Sequence, residues 1–222
     1  MILVGDSMAS VLYNYNTTRK ISLETMIEHA KSVRMGVNKS LLVFDMPYNT
    51  YRDKKIALVN AKKIIKKTKS DAVKLEGGSK IKDVVKHLIK NKIPVLGHLG
   101  IMPQSVRGKF KSKGKTDRER IRILKDAKVL EKLGVFAIVL ECIEKSLAKK
   151  ITNEIKIPTI GIGSSVHCDG QILVTDDLIG LTNSKIKFVK KYINISNSIA
   201  TAVKKFKQEV KLKKYPTKKY SY

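Results

Sequence analysis

Short apolar runs alternate with longer amphipathic stretches along most of the chain. The runs are rich in branched and leucine side chains, and they occupy residues 2–5, 40–46, 72–76, 94–99, 136–142, 159–163 and 171–175. Such runs predict strands that are buried on both faces of a parallel sheet. A helical pattern lies between most of them, at residues 22–34, 54–67, 80–91, 118–133 and 145–155. The alternation predicts an α/β fold with right-handed crossovers.

The helix predicted at residues 118–133 has the clearest pattern. Gly134 follows it and suits a helix C-terminus, because glycine adopts the left-handed backbone conformation there at low cost. The side chains expected on the buried stripe are Ile121, Leu124, Ala127, Leu130 and Leu133.

The strand count bears on the kind of α/β fold. The rhythm is that of a (β/α)8 TIM-type barrel, which needs eight strands where the runs supply seven. The chain starts within a strand at Met1, so we expect such a barrel with the first β/α unit missing. No linker interrupts the rhythm, which predicts a single domain over residues 1–222 with a basic tail at about 205–222. Unpaired sheet edges would then predict poor solubility or a partner segment.

Basic residues far outnumber acidic ones, with 46 Lys and Arg against 19 Asp and Glu and a formal net charge of +27. The lysines are spread from Lys20 to Lys219 and interleave with apolar positions, which is typical of the solvated side of helices. If part of this charge has a function, we expect it to attract anionic small molecules rather than nucleic acid. No apolar run reaches the roughly 18–20 residues of a membrane helix, and no signal peptide is recognisable. We expect a soluble cytoplasmic protein.

Charged residues fall where the predicted strands end. In parallel α/β folds the active site forms at the carboxyl ends of the strands. The residues in these positions are Asp6, Asp45, Lys74, Glu76, His98 and Glu141. Buried charges are costly unless they are paired or bound to a metal, and Glu141 is the hardest to explain by stability alone. Carboxylate ligands without a cluster of Cys or His favour Mg²⁺.

Most of these residues also have a simpler structural interpretation, which the sequence leaves open. Asp6 suits a helix cap, and Asp45 suits a turn. Lys74 and Glu76 point to the same side of a strand, so an ion pair between them would explain both. His98 is compatible with a neutral histidine that is bonded to the backbone.

Several motifs occur in an order that is similar to a known family. They are Leu3-Val4-Gly5-Asp6-Ser7, Asp45-Met46-Pro47-Tyr48, Val73-Lys74-Leu75-Glu76-Gly77-Gly78, Gly97-His98-Leu99-Gly100-Ile101-Met102-Pro103-Gln104-Ser105-Val106, Val139-Leu140-Glu141-Cys142 and Pro158-Thr159-Ile160-Gly161-Ile162-Gly163. The chain thus resembles the ketopantoate hydroxymethyltransferases of pantothenate biosynthesis, from Met1 to about Tyr215.

The resemblance implies a (β/α)8 barrel that assembles as a homodecamer. It also implies that a hydroxymethyl group passes from 5,10-methylenetetrahydrofolate to 3-methyl-2-oxobutanoate, giving 2-dehydropantoate. The reaction would proceed through an enolate that Mg²⁺ stabilises.

The resemblance also assigns roles to residues at matching positions. The expected Mg²⁺ ligands are Asp6, Asp45 and Glu76. The residues expected to contact the keto acid are Asp6, Ser7, Asp45 and Lys74. Glu141 matches the family's proton acceptor, and His98 is expected to line the site.

Two features depart from the family pattern. When the motifs are aligned at Gly5-Asp6-Ser7, the family has a further strand and helix before Met1. Residues 107–115 form a shorter and more basic segment than the family's glycine-rich loop, within a stretch, 102–116, expected to cover the site. Two other hypotheses stay open: a related Mg²⁺-enolate lyase or phosphomutase, and a non-catalytic basic protein that binds nucleic acid or acidic surfaces. Retention of the acidic positions argues against the latter.

Overall fold

The computed structural model describes residues 1–105 and 111–222, and it divides into two compact units, Met1–Ile172 and Leu173–Tyr222. In the first unit, parallel strands pair in the order in which they occur in the chain. They are β1 (Ile2–Val4), β2 (Leu42–Asp45), β3 (Ala72–Glu76), β4 (Val95–Gly100), β5 (Ala137–Glu141), β6 (Thr159–Ile162) and β7 (Gly170–Gln171). The sheet curls into a half-barrel, which confirms the predicted α/β fold.

Helices connect the strands of the first unit. They are α1 (Met8–Val11), α2 (Leu23–Gly36), α3 (Lys54–Thr68), α4 (Lys82–Lys90), α5 (Asp117–Leu133) and α6 (Lys145–Glu154), with 3-10 turns at Thr18–Lys20 and Ser79–Ile81. Asp53 caps α3 and Thr116 caps α5, each by accepting backbone N–H groups of the first helical turn. Gly134 ends α5 in the left-handed region, with φ 91°, as predicted.

The two faces of the curled sheet carry different side chains. The outer face packs against the helices and is apolar, with Phe44, Val73, Leu75, Ile138 and Leu140 fully buried there. The inner face holds a second, smaller apolar cluster, formed by Val43, Ala72, Leu96, Ala137 and Val139. Side chains alternate along a strand with a period of two, so the next inward positions are Asp45, Lys74, His98 and Glu141. The inner face is therefore apolar towards the amino ends of its strands and charged at their carboxyl ends.

Three details differ from the predicted elements or lie outside the described residues. The predicted strand at 171–175 is reduced to β7, and the chain turns into a helix at Thr175, where acidic residues in the first turn favour helix formation. Ile121 is 68% exposed, and Ile123, four residues before Ala127 and on the same side of the helix, is buried in its place. Part of the basic segment 107–115 falls on residues 106–110, outside the described part of the chain.

The second unit contains α7 (Thr175–Leu178), α8 (Ile195–Lys211) and a 3-10 turn at Lys218–Tyr220. Residues 205–211 of the predicted basic tail belong to α8, whose side chains are mostly exposed. The assignment of residues 1–222 to one domain stays a prediction. Among the described residues, no helix combines the length and the apolar character needed to cross a membrane.

Candidate active site

The inner face of the sheet brings most of the predicted site residues together at the carboxyl ends of the strands. The pairing register sets Asp45 beside Lys74 on β2 and β3, and Glu76 beside His98 on β3 and β4. Glu141 ends the next strand, β5. The first four side chains are at most 5% exposed and that of Glu141 is 20% exposed, so this is a largely buried cluster of charge.

Lys74 forms an ion pair across two strands. Its Nζ donates a hydrogen bond to Asp45 Oδ1 at 2.7 Å. The other oxygen of Asp45, Oδ2, accepts a hydrogen bond from the backbone N–H of Asp6 at 3.2 Å. Lys74 therefore pairs with Asp45 rather than with Glu76 on its own strand, and the carboxylate of Asp45 is held inside the site rather than in a turn.

Asp6 and Ser7 lie between β1 and α1. The N-terminal cap position of α1 is Ser7, whose side chain makes no capping hydrogen bond, so Asp6 does not act as the cap. The Asp6 carboxylate is buried, and its Oδ2 accepts a hydrogen bond from the side-chain amide of Gln104 at 3.0 Å. The structure thus places Asp6 with the other carboxylates, with the half-buried Ser7 next to it.

Gln104 and Tyr51 belong to the same cluster, although sequence reasoning gave neither of them a role. Gln104 is 1% exposed and contacts both Asp6 and, through its backbone N–H, Glu76 Oε2 at 3.1 Å. Tyr51 donates its hydroxyl hydrogen to Gln104 Oε1 at 2.6 Å. The signal for Gln104 was its place in the motif Pro103-Gln104-Ser105; no comparable signal marked Tyr51.

His98 lies between two carboxylates. Its Nδ1 is 3.6 Å from Glu76 Oε1, and its Nε2 is 3.2 Å from Glu141 Oε2. Neither contact is a hydrogen bond, so neither ring nitrogen of His98, nor Glu76 Oε1, has a hydrogen-bond partner among the described residues. Buried polar atoms without partners are rare in folded proteins, which makes these three atoms candidates for contact with a ligand.

Burial shifts the ionisation of this cluster. Loss of hydration raises the pKa of Asp45 to about 7, although the charge of Lys74 opposes the shift. The same cause raises the pKa of Glu76 well above its usual range. Burial lowers the pKa of His98, and the nearby charge of Lys74 adds to that effect. Burial also opposes the charge on Lys74, but Asp45 and the other carboxylates outweigh it and raise its pKa.

The backbone around Glu141 is tightly constrained. Gly100, at the end of β4, has φ +105°, and a Cβ there would lie 2.1 Å from the carbonyl oxygen of Glu141. Cys142 adopts φ 50°, which is uncommon for a residue with a side chain, and its N–H donates to the carbonyl oxygen of Ile162 at 2.9 Å. The position of Glu141 therefore depends on a glycine on one side and a left-handed residue on the other.

The arrangement has the oxygen donors that a hard cation prefers, but not a preformed cage. Among residues 1–105 and 111–222, no group of three or more His, Cys, Asp or Glu side chains is arranged to hold a metal ion. Three buried carboxylates, Asp6, Asp45 and Glu76, nevertheless lie near a single lysine, Lys74. Mg²⁺ is commonly bound by one or two carboxylates with water and substrate completing its shell, and the unpartnered Glu76 Oε1 suits such a role.

Known proteins share sequence with this chain over its full length. The model of the family described as ketopantoate hydroxymethyltransferase matches residues 1–218. The 3-methyl-2-oxobutanoate hydroxymethyltransferase of Pelagibacter ubique (strain HTCC1062) is 64% identical over 222 residues, which cover 100% of this chain and 86% of that relative. The enzyme of the same name from Clostridium botulinum (strain 657) is 44% identical over 225 residues, covering 100% of this chain and 82% of that one.

One solved structure supports the fold. The 2,3-dimethylmalate lyase of the PEP mutase/isocitrate lyase superfamily superimposes with a TM-score of 0.51 and 13% identity, over 98% of this chain and 75% of that one. Identity this low bears on the fold alone, whereas the matches in sequence extend over the full chain. The chain is therefore a hydroxymethyltransferase and belongs to the ketopantoate hydroxymethyltransferase family.

Proposed function

We propose that this chain transfers a hydroxymethyl group from 5,10-methylenetetrahydrofolate to 3-methyl-2-oxobutanoate, giving 2-dehydropantoate for pantothenate biosynthesis. The names of relatives that match the full length of the chain support the acceptor and the reaction. The single observation that carries the proposal is a largely buried set of charged residues at the carboxyl ends of neighbouring strands, formed by Asp6, Asp45, Lys74, Glu76, His98 and Glu141.

The buried carboxylates are proposed to hold Mg²⁺. Asp6, Asp45 and Glu76 supply oxygen donors, and burial of their charge near a single lysine favours binding of a divalent cation. When bound, Mg²⁺ would polarise the keto oxygen of the substrate and stabilise negative charge there as C3 loses its proton. Such a cation would also offset the cost of ionising Asp45 and Glu76, whose pKa values burial raises.

The keto acid is proposed to contact Asp6, Ser7, Asp45 and Lys74. Lys74 supplies the positive charge that a substrate carboxylate needs, and Asp45 already orients its Nζ. Ser7 is half-buried beside Asp6, and it makes no side-chain cap at α1, so its hydroxyl suits contact with the substrate.

Glu141 is proposed as the base that removes the C3 proton. It is 20% exposed, the highest value among the carboxylates of the cluster, so it faces the space that a substrate would enter. Val139, two residues earlier on the same inner face, provides an apolar surface that suits the isopropyl group of the substrate. His98 Nε2 lies 3.2 Å from Glu141 Oε2, and His98 is proposed to line the same space.

The finer features of the family are proposed for this chain as well. The curled sheet of parallel strands is compatible with a (β/α)8 TIM-type barrel, and we propose that architecture. Assembly as a homodecamer and a cytoplasmic location stay predictions.

The proposed acid–base step is tested by deuterium exchange at C3 of 3-methyl-2-oxobutanoate in D₂O. Exchange is followed by proton NMR with and without Mg²⁺, and no folate is needed. We expect exchange that depends on both protein and metal. Folded protein that shows no exchange at saturating Mg²⁺ and keto acid would overturn the proposal.

A second measurement separates metal binding from the proton transfer. Asp6→Asn and Glu76→Gln are expected to weaken binding of Mn²⁺, used as a spectroscopic substitute for Mg²⁺ and followed by electron paramagnetic resonance. Asp169→Asn is the control, since Asp169 bonds Thr159 at the far end of β6. Equal Mn²⁺ affinity in all three variants would remove Asp6 and Glu76 from the proposed metal site.

A further inference from the structure

We propose that Gln104, oriented by Tyr51, is a positioning residue that holds the carboxylates of Asp6 and Glu76 in place for the divalent cation. The inference rests on the proposed function, because it assigns Gln104 a role in the same site. It concerns two side chains that need not touch the substrate or the metal.

Gln104 connects the ends of three neighbouring strands. Its Nε2 donates to Asp6 Oδ2, in the turn after β1, and to the backbone carbonyl of Met46, directly after β2, both at 3.0 Å. Its backbone N–H donates to Glu76 Oε2, at the end of β3, at 3.1 Å. One residue thereby fixes the relative positions of two carboxylates that come from different strands.

In the described part of the chain, the hydrogen bonds from Gln104 are the only ones that the carboxylates of Asp6 and Glu76 accept. Both carboxylates are at most 5% exposed, so solvent does little to replace these bonds. Loss of the Gln104 side chain would therefore remove the donor that the described residues offer to Asp6 in a buried setting, where an unsatisfied polar group is costly.

The orientation of the Gln104 amide follows from the chemistry of its partners. A backbone carbonyl can only accept a hydrogen bond, so the amide nitrogen must face Met46 and the amide oxygen must face Tyr51. The same orientation directs the second N–H of Gln104 at Asp6. A flipped amide would set its oxygen against two acceptors.

Tyr51 fixes that orientation from the other side. Its hydroxyl donates to Gln104 Oε1 at 2.6 Å and accepts from the backbone N–H of Glu76 at 3.4 Å. The ring packs against the core, so the hydroxyl has a defined position. Loss of the Tyr51 hydroxyl would remove the group that holds the amide oxygen, while leaving every carboxylate and the backbone of residue 104 unchanged.

The test compares Gln104→Met and Tyr51→Phe with wild type. The methionine side chain keeps the length and volume of glutamine but donates no hydrogen bond. The bonds to Asp6 and to the Met46 carbonyl are therefore lost, while the backbone N–H of residue 104 still donates to Glu76. We expect the Mn²⁺ dissociation constant, measured by electron paramagnetic resonance, to rise roughly 10-fold or more in Gln104→Met, and by less in Tyr51→Phe. The control is Gln208→Met, the same change on the exposed surface of α8, which is expected to leave Mn²⁺ affinity unchanged.

A purely structural role predicts a different result. Gln104→Met would then lower the urea midpoint of unfolding while the Mn²⁺ dissociation constant of the folded fraction stayed at the wild-type value, and that outcome would overturn the proposal. Tyr51→Phe retains the ring and serves as the decisive variant if Gln104→Met does not fold; unchanged Mn²⁺ affinity in Tyr51→Phe would then count against the proposal.

The proposed function and this inference fail in different ways. Wild-type protein that neither binds Mn²⁺ nor exchanges the C3 proton would overturn both. Wild-type protein that does both, with Gln104→Met and Tyr51→Phe equal to it in Mn²⁺ affinity, would overturn the positioning role alone. In the expected case, saturating metal restores much of the exchange rate in the two variants, because the base Glu141 is untouched.

Discussion

Lys74 Nζ lies 2.7 Å from Asp45 Oδ1, and neither side chain is more than 5% exposed. The two residues are direct neighbours in the register of β2 and β3, so the pair is built into the sheet. A buried ion pair adds little stability compared with apolar side chains of similar size. Removal of one partner, however, leaves the other charge buried without a counterion. The pair is therefore better explained by function than by stability.

Lys74→Met should destabilise the protein by about 3 kcal/mol, because the carboxylate of Asp45 is left buried without its cation. The double variant Asp45→Asn with Lys74→Met should recover part of the lost free energy of unfolding, since it buries no unpaired charge. Urea unfolding in the presence of a chelator measures both free energies without contribution from a metal. A double variant that is less stable than Lys74→Met would show that the pair is not coupled as the distance implies.

Glu141→Gln should lower the rate of C3 exchange by roughly 10²–10⁴-fold, because the amide cannot accept the proton. Mn²⁺ affinity and keto-acid binding should stay close to wild type, since Glu141 is not among the proposed metal ligands. Proton NMR in D₂O gives the rate, and titration gives both affinities. The matched control is Glu28→Gln on the exposed surface of α2, and unchanged exchange in Glu141→Gln would remove Glu141 from the mechanism.

The strands and their order in the sheet were largely predictable from the sequence. Continuous apolar runs predict buried parallel strands, and the carboxyl ends of such strands meet at one edge, so Asp45, Lys74, His98 and Glu141 could be grouped before their geometry was known. The helix α8 (Ile195–Lys211) was not predicted, and composition marked only its end, from about residue 205, as part of a basic tail.

The contacts within the site were less predictable. Lys74 and Glu76 share a face of β3, which left a pair between them open, but the register sets Asp45 directly opposite Lys74. Register depends on the packing of the whole sheet and cannot be inferred from one strand. Tyr51 and Gln104 form a hydrogen bond although they are 53 positions apart in the sequence, and no local sequence pattern predicts a contact over that separation.

Gly100→Ala should destabilise the protein by more than about 2 kcal/mol or prevent folding. The φ of +105° disfavours any side chain, and a Cβ would lie 2.1 Å from the carbonyl oxygen of Glu141, so the end of β5 would have to shift. Gly36→Ala is the control, because a Cβ at Gly36 meets nothing within 4 Å. Urea unfolding of both variants checks the prediction, and equal midpoints would contradict the close approach of β4 and β5.

The start of α6 depends on an ionised Glu144. Its carboxylate accepts hydrogen bonds from the Ser146 hydroxyl, from the backbone N–H groups of Ser146 and Leu147, and from Arg120 at 2.8 Å. These bonds, led by that of the Ser146 hydroxyl, lower the pKa of Glu144 to about 2. The carboxyl is held more strongly ionised in the folded chain than in the unfolded one, so it contributes stability above its unfolded pKa, roughly 4.3.

Glu144→Gln should therefore lower the free energy of unfolding at pH 7 by about 1 kcal/mol, a modest value because the side chain is 35% exposed and screened by solvent. The difference from wild type should shrink as the pH falls from roughly 4.3 towards about 2, because the wild-type carboxylate then takes up a proton and loses the same bonds. Urea midpoints of both proteins at pH 7, 5, 4 and 3 measure that difference. A difference in urea midpoint that stays constant down to pH 3 would mean that the neutral side chain caps α6 as well as the carboxylate does.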